Sequence, residues 1–288
     1  MAVLKVNDIT KSYGKHIVLN KVNLEIDKPG IVALVGPNGS GKTTLMNIIA
    51  NILSADSGSV EVLGKPNNDV SIFYDYSYLI DNNVLYDHLT GFDHLKYVAE
   101  THKLGGDSIE KAASYLGVTH FLNKKVSDYS LGMKQQLLFT MAVINNPKLL
   151  VLDEPFNGLD PSTIIKVREI LLGFVEEGKT VLLSSHNLSE VDHMTNHIVF
   201  VKNGELIEED ISIYRKGKYY LKVEDAEKIV NEFEEKNMES RGDEIVLTCE
   251  DIEFSEIMRR IMDISTIFSI RREEIGAEER YKELYEYK

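Results

Sequence analysis

Apolar and polar residues change period several times along the chain, and the changes mark its elements. Residues 3–9 alternate loosely and predict a strand. Residues 18–26 alternate again, with Val18, Val22, Leu24 and Ile26 apolar, which predicts a half-buried strand. An antiparallel β layer is therefore expected before residue 30. Residues 30–35 form a short apolar run opened by Gly30 and read as a buried strand. Over 42–52 apolar residues recur at helical spacing (Leu45, Ile48, Ile49, Ile52), with a glycine-rich stretch between the two segments. Residues 58–64 read as a strand ending in a turn, and the aromatic-rich 71–79 as another. A polar cluster breaks the periodicity over 79–91 and predicts a loop. Residues 91–102 and 108–116 predict helices, the second opened by Ser108 with Glu110 close behind.

Further along, 137–144 is helical in pattern, and Leu149-Leu150-Val151-Leu152 reads as a buried strand. Pro161 opens a helix with apolar positions at Ile164, Val167, Ile170, Leu171 and Phe174. Residues 180–184 read as a buried strand. Asn203-Gly204 is a strong hairpin signal within 199–208. These segments predict an α/β core with an inserted helical subdomain over about 85–145. The composition changes near Ser212. From Tyr219 the order is strand 220–223, helix 226–236, strand 244–248, helix 253–264, strand 266–271. Strands alternating with helices there suggest a small α+β appendage. The division expected is 1–211 and 212–288, with a polar tail at 281–287 of unsettled order.

Composition narrows the classes. The chain has 288 residues, 43% hydrophobic and 27% charged, with a formal charge of −14. That charge argues against a general nucleic-acid binder and gives no support to a polybasic membrane anchor. Cys249 is the one cysteine, so no disulfide can form within this sequence, which suits a reducing compartment. The segment from Met1 to Asp8 lacks the basic-then-apolar shape of a signal peptide. No apolar run reaches the roughly 18 residues of a membrane span. Any work at a membrane is expected to use a partner chain.

The chemistry gathers at four places. Gly36-Pro37-Asn38-Gly39-Ser40-Gly41-Lys42-Thr43-Thr44 fits the phosphate-binding pattern G-x-x-x-x-G-K-[ST] in the strand–loop–helix context it needs. Glycines let backbone N–H groups curl around phosphate oxygens, and the helix N-terminus adds partial positive charge. Lys42 is expected on the β- and γ-phosphates and the Thr43 hydroxyl on Mg²⁺. Asp153 and Glu154 follow a buried strand, at the end where open parallel sheets bind ligands. Asp153 is the expected Mg²⁺ ligand, and Glu154 the group that polarises the attacking water. His186 ends the strand 180–184 and is expected beside Glu154, on the γ-phosphate. Tyr13 offers a flat ring on which an adenine can stack.

With these residues in view, the chain resembles an ATP-binding-cassette (ABC) ATPase subunit over about 3–209, because the motifs keep the family's order and spacing. Gly36 to Thr43 matches Walker A, 149–154 Walker B, Tyr13 the adenine-stacking loop, Asp160 the loop that crosses the dimer and His186 the switch histidine. Tyr129-Ser130-Leu131-Gly132-Met133 stands where the family has L-S-G-G-Q. Ser130 and Gly132 are kept, and Tyr129, Leu131 and Met133 depart. Asp81 stands where the family has glutamine. These departures and the appended C-terminal segment resemble the bacterial subgroup that exports bacitracin, lantibiotics and other peptides. The resemblance implies a P-loop NTPase core binding ATP and Mg²⁺. It also implies a head-to-tail dimer in which Ser130 and Gly132 of one chain meet the other's γ-phosphate. Asp81 is implied near the Mg²⁺ shell, and a separate integral membrane subunit is implied as partner at the cytoplasmic face of the membrane. An importer ATPase, or a soluble superfamily member working on ribosomes or DNA, are the competing functions.

Overall fold

The computed structural model describes residues 2–214, 217–233, 237–249, 251–274 and 277–285. Its contacts separate into two compact units, Met1–Glu209 and Asp210–Lys288.

The first unit begins with β1 (Leu4–Tyr13) and β2 (His16–Ile26), an antiparallel hairpin closed by Gly14 in the left-handed region, φ +62°. Tyr13 is thus the last residue of β1, paired with His16, and not part of a loop beyond a shorter strand. The strand β3 (Gly30–Val35) is followed by α1 (Lys42–Ile49), then β4 (Ser57–Val62) and β5 (Lys65–Pro66). The hairpin joins β4 and β5 in a four-stranded antiparallel sheet of order β2-β1-β4-β5.

Residues 71–79, expected as one strand, divide. Val70–Tyr74 forms a 3₁₀ turn and only β6 (Tyr76–Leu79) pairs with the sheet. Asp69 stops the extended run, because its carboxylate accepts from the Ser71 N–H at 2.8 Å and closes a local turn. A second 3₁₀ turn, Asn82–Val84, follows. The helical part is α2 (Gly91–Thr101), α3 (Ser108–Leu116) and α4 (Leu131–Val143). Thr90 and Asp93 close a reciprocal capping box on α2. On α3 the cap position is Asp107, not Ser108, and no side chain caps there. Next come β7 (Leu149–Leu152), α5 (Pro161–Glu176), β8 (Thr180–Ser185), the short α6 (Leu188–Asp192), β9 (His197–Lys202) and β10 (Glu205–Asp210). Asn203 (φ +53°) and Gly204 (φ +80°) make the turn between the last two, as their sequence predicts.

The second sheet runs β10-β9-β3-β8-β7-β6, with β6, β7, β8, β3 and β9 parallel. Apolar residues from both sheets and α1 make one core, including Leu4 and Leu24, Val32 and Leu34, and Leu45 and Ile49. Register then fixes the chemistry. Leu152 pairs with Leu183 and Val35 with Ser185. The chain therefore leaves β3, β7 and β8 side by side at one sheet edge, and the segments starting at Gly36, Asp153 and His186 begin together.

The second unit contains β11 (Gly217–Val223), α7 (Ala226–Phe233), β12 (Met238–Arg241), β13 (Glu244–Cys249), α8 (Asp251–Ile264), β14 (Ile267–Glu274) and α9 (Ala277–Tyr285). Its antiparallel sheet has the order β12-β13-β11-β14. Tyr219, Leu221, Ile245 and Leu247 of the sheet pack on Ile229 and Phe233 of α7 and on Ile257 and Ile261 of α8. The strand β12 was not anticipated, since four mixed residues carry no clear alternation. The described part of the tail is helical, whereas residues 286–288 and the expected helix extension over 234–236 lie outside the described residues. Among the described residues no helix is long and apolar enough to cross a membrane.

Candidate active site

The loop from Gly36 to Gly41 needs its glycines. A Cβ on Gly36 would stand 2.7 Å from Ser40 Oγ and 3.0 Å from the Val201 carbonyl oxygen. Gly39 and Gly41 hold φ of +80° and +111°, which side-chain-bearing residues rarely adopt. Gly41 caps α1 without a side-chain hydrogen bond, so the first N–H groups of the helix stay available to an anion. Ser40 Oγ is buried with no hydrogen-bond partner. Thr43 is exposed and Thr44 half-buried at the start of the helix, and Pro37 and Asn38 form the exposed crest of the loop.

Lys42 is buried, and its Nζ donates to the carbonyls of Gly36 at 2.7 Å and Pro37 at 3.2 Å. Burial pushes its pKa down, while the carboxylates of Glu154 and Asp153 pull it up. The lysine thus lies in the field of both acids.

Those acids are held in detail. Ser184, fully buried on β8, donates its hydroxyl to Asp153 Oδ1 at 2.6 Å and accepts the Glu154 N–H at 2.9 Å. Glu154 has a left-handed backbone, φ +49°. Buried Gln135 of α4 donates from Nε2 to the carbonyls of Glu154 at 3.3 Å and Pro155 at 3.2 Å. The Glu154 carboxylate meets His186 Nδ1 at 2.8 Å, with the imidazole largely exposed. Lys42, Asp153, Glu154 and His186 therefore share one sheet edge.

Ser130, Gly132 and Asp160 form a second group. Ser130 caps α4 and accepts from the Met133 N–H at 3.2 Å. Gly132 lies so close to the Gly158 carbonyl that a Cβ there would stand 2.8 Å from its oxygen. Asp160 caps α5, accepting from the N–H groups of Ser162 and Thr163 and from both their hydroxyls. The Ser162 and Thr163 bonds hold its carboxyl down at about 2. Gln136 of α4 donates to Thr163 Oγ1 at 3.0 Å and so ties the two helix starts together.

Tyr13 and Asp81 stand apart from both groups in their bonding. Tyr13 is half-exposed, with Lys11 Nζ 5.8 Å from its ring centre, a surface on which a base can stack. Asp81 turns back on its own loop, accepting from the Asn83 N–H at 2.6 Å and the Asn83 amide at 2.9 Å. Sequence reasoning did not single out Ser184, Gln135 or Gln136. The only signal for Ser184 was a hydroxyl closing an otherwise apolar strand.

The donor set fits a nucleotide with Mg²⁺. The glycine cradle, the unpartnered Ser40 hydroxyl and Lys42 suit phosphate oxygens. Among the described residues no cluster of three His, Cys, Asp or Glu could hold a metal alone.

The chain is similar to known proteins in sequence and in structure. A family model described as ABC transporter matches residues 19–157. A lantibiotic transport ATP-binding protein of Streptococcus pyogenes is 40% identical over 71% of the chain and 89% of its own length. A bacitracin transport ATP-binding protein of Enterococcus faecalis is 38% identical over 72% of the chain and 68% of its own length. Among solved structures, a dimeric ATP-binding cassette in a post-hydrolysis state bound to ADP and Pi is 28% identical. It covers 72% of this chain and 98% of its own, with a TM-score of 0.65.

Proposed function

The chain belongs to the ABC transporter family as an ATP-binding ATPase subunit, and from that premise we propose that it drives export of an antimicrobial or amphipathic peptide, or a lipid-like compound. Residues 1–211 are the nucleotide-binding domain, with 212–288 an assembly or regulatory appendage. The observation that carries the catalytic part is the shared edge: the Glu154 carboxylate 2.8 Å from His186, with Lys42 in its field.

In this reading Tyr13 stacks on the adenine, and residues 36–44 wrap the phosphates with their N–H groups. Lys42 exchanges the Gly36 and Pro37 carbonyls for β- and γ-phosphate oxygens. Glu154 accepts the proton of the attacking water, and His186 holds that carboxylate and reaches the γ-phosphate. When bound, Mg²⁺ held by Thr43 and Asp153, with Asp81 reaching its shell, neutralises phosphate charge. Ser130 and Gly132, at the start of α4, meet the γ-phosphate of a second chain in a head-to-tail dimer, and Asp160 lies in the loop that crosses between chains. ATP closes the dimer and hydrolysis reopens it, a shift bounded by the nucleotide's differential affinity for the two states. A separate integral membrane subunit converts closure into export at the cytoplasmic face of the membrane. The peptide-transport names of the two relatives support the cargo class.

The test is to purify the tagged chain from membranes of its native host and reconstitute what comes with it in vesicles. Co-purification of an integral membrane protein, with ATPase activity stimulated by bacitracin-like or lantibiotic peptides, is expected. Association with ribosomes or DNA alone, or uptake in place of efflux, would refute it.

A further inference from the structure

Asp153 and Glu154 are adjacent, yet both serve one site. In a continuing strand successive side chains point to opposite faces. The left-handed backbone at Glu154, φ +49°, breaks that alternation just after β7 ends. A non-glycine residue in this region is uncommon, and such strain persists where surrounding structure over-determines it. Here the surroundings do so from two directions. Ser184 of β8 takes the Glu154 N–H, and Gln135 of α4 takes the Glu154 carbonyl. Both side chains are buried. The Ser184 hydroxyl has one proton, and it goes to Asp153 Oδ1 at 2.6 Å. One buried hydroxyl therefore sets the rotation of the Asp153 carboxylate and the backbone of the next residue together.

We infer that Ser184 is a positioning residue that orients Asp153 toward the metal and sets the Glu154 backbone, and that Gln135 is a second one acting on the Glu154–Pro155 backbone and not on Asp153. The inference rests on the assignment of Asp153 as a Mg²⁺ ligand. Ser184→Ala removes the donor from Asp153 and the acceptor from the Glu154 N–H. Gln135→Leu removes a donor from the carbonyls of Glu154 and Pro155, and the Glu154 carbonyl keeps the Asn157 N–H at 3.2 Å. The two variants consequently separate: the first affects metal binding and turnover, the second turnover without metal binding.

The experiment uses the full chain and Mn²⁺ as the probe. Free Mn²⁺ is counted by electron paramagnetic resonance at fixed ATP, and ATP affinity is measured separately in excess chelator. Ser184→Ala is expected to weaken Mn²⁺ binding about 10-fold, the low end for an outer partner of a metal ligand. Metal-free ATP affinity should stay within about twofold, because the phosphate loop makes no bond to Ser184. Gln135→Leu is expected to keep wild-type Mn²⁺ affinity and lower turnover. Asp153→Asn is the control. If it loses Mn²⁺ binding while Ser184→Ala does not, the role given to Ser184 is wrong and the metal assignment stands. If neither variant changes Mn²⁺ binding, the metal assignment fails and takes this inference with it. If Ser184→Ala weakens metal-free ATP binding in parallel, the hydroxyl is merely structural and the inference is overturned. Loss of Mn²⁺ affinity in Gln135→Leu would remove the division of labour between the two side chains.

Discussion

Two acidic loops flank the same sheet edge, after β7 and after β6, and they are built on different terms. The loop after β7 carries Glu154, whose N–H, carbonyl and carboxylate are each bonded to a residue from another element: Ser184, Gln135 and His186. The loop after β6 carries Asp81, whose carboxylate bonds to Asn83 two residues on. Unmaking the first arrangement requires moving β8 or α4. Unmaking the second requires only a local turn to open, and such turns are the low-cost end of a protein's motions. Chemistry that must happen at a fixed distance belongs with the first loop. A link that must answer a partner belongs with the second, where a segment can change partners.

The largest expected effect comes from the fixed loop. Glu154→Gln removes the proposed proton acceptor but leaves the backbone clamps. Hydrolysis should fall at least about 100-fold, with ATP still bound and a closed dimer trapped. Turnover near wild type in a single-turnover assay would undo the contrast, because the most constrained acid would then not be the reactive one. A smaller and more selective effect is expected from the other loop. Asp81→Ala should lower partner-stimulated hydrolysis about 5-fold or more while ATP affinity of the isolated chain stays unchanged, since a linking residue acts on the coupling step. Steady-state ATPase assays on the assembled transporter, with calorimetry on the chain alone, check this. Equal loss in both measurements would place Asp81 with the fixed machinery. The smallest effect is expected furthest from either loop. A chain ending at residue 209 keeps both acids and the core beneath them, and its ATP dissociation constant should stay within about twofold of the full chain. Failure of that shorter chain to fold would show that the appendage belongs to the stability of the cassette.

The sequence by itself determined most of the elements and the phosphate loop, because the signals for both are local. Apolar runs of strand length, helical spacing after Lys42, glycines where φ must be positive and the Asn203-Gly204 turn act over a few residues. Asp153 and Glu154 were legible as a pair because an apolar strand delivers them. The tertiary structure decided how that pair is held. Ser184 and Asp153 are 31 residues apart, Gln135 and Glu154 are 19 apart, and only the β7–β8 register and the placement of α4 bring them within a hydrogen bond. The left-handed turn at Glu154 has no local signature either, since glutamate gains nothing from that backbone on its own. Strand length at 71–79 is a different case: a local bond, the Asp69 carboxylate closing a turn over Ser71, ends the run where aromatic content predicts extension. Local periodicity reports which face of an element is buried; it carries no record of which distant side chain will complete a backbone's hydrogen bonds.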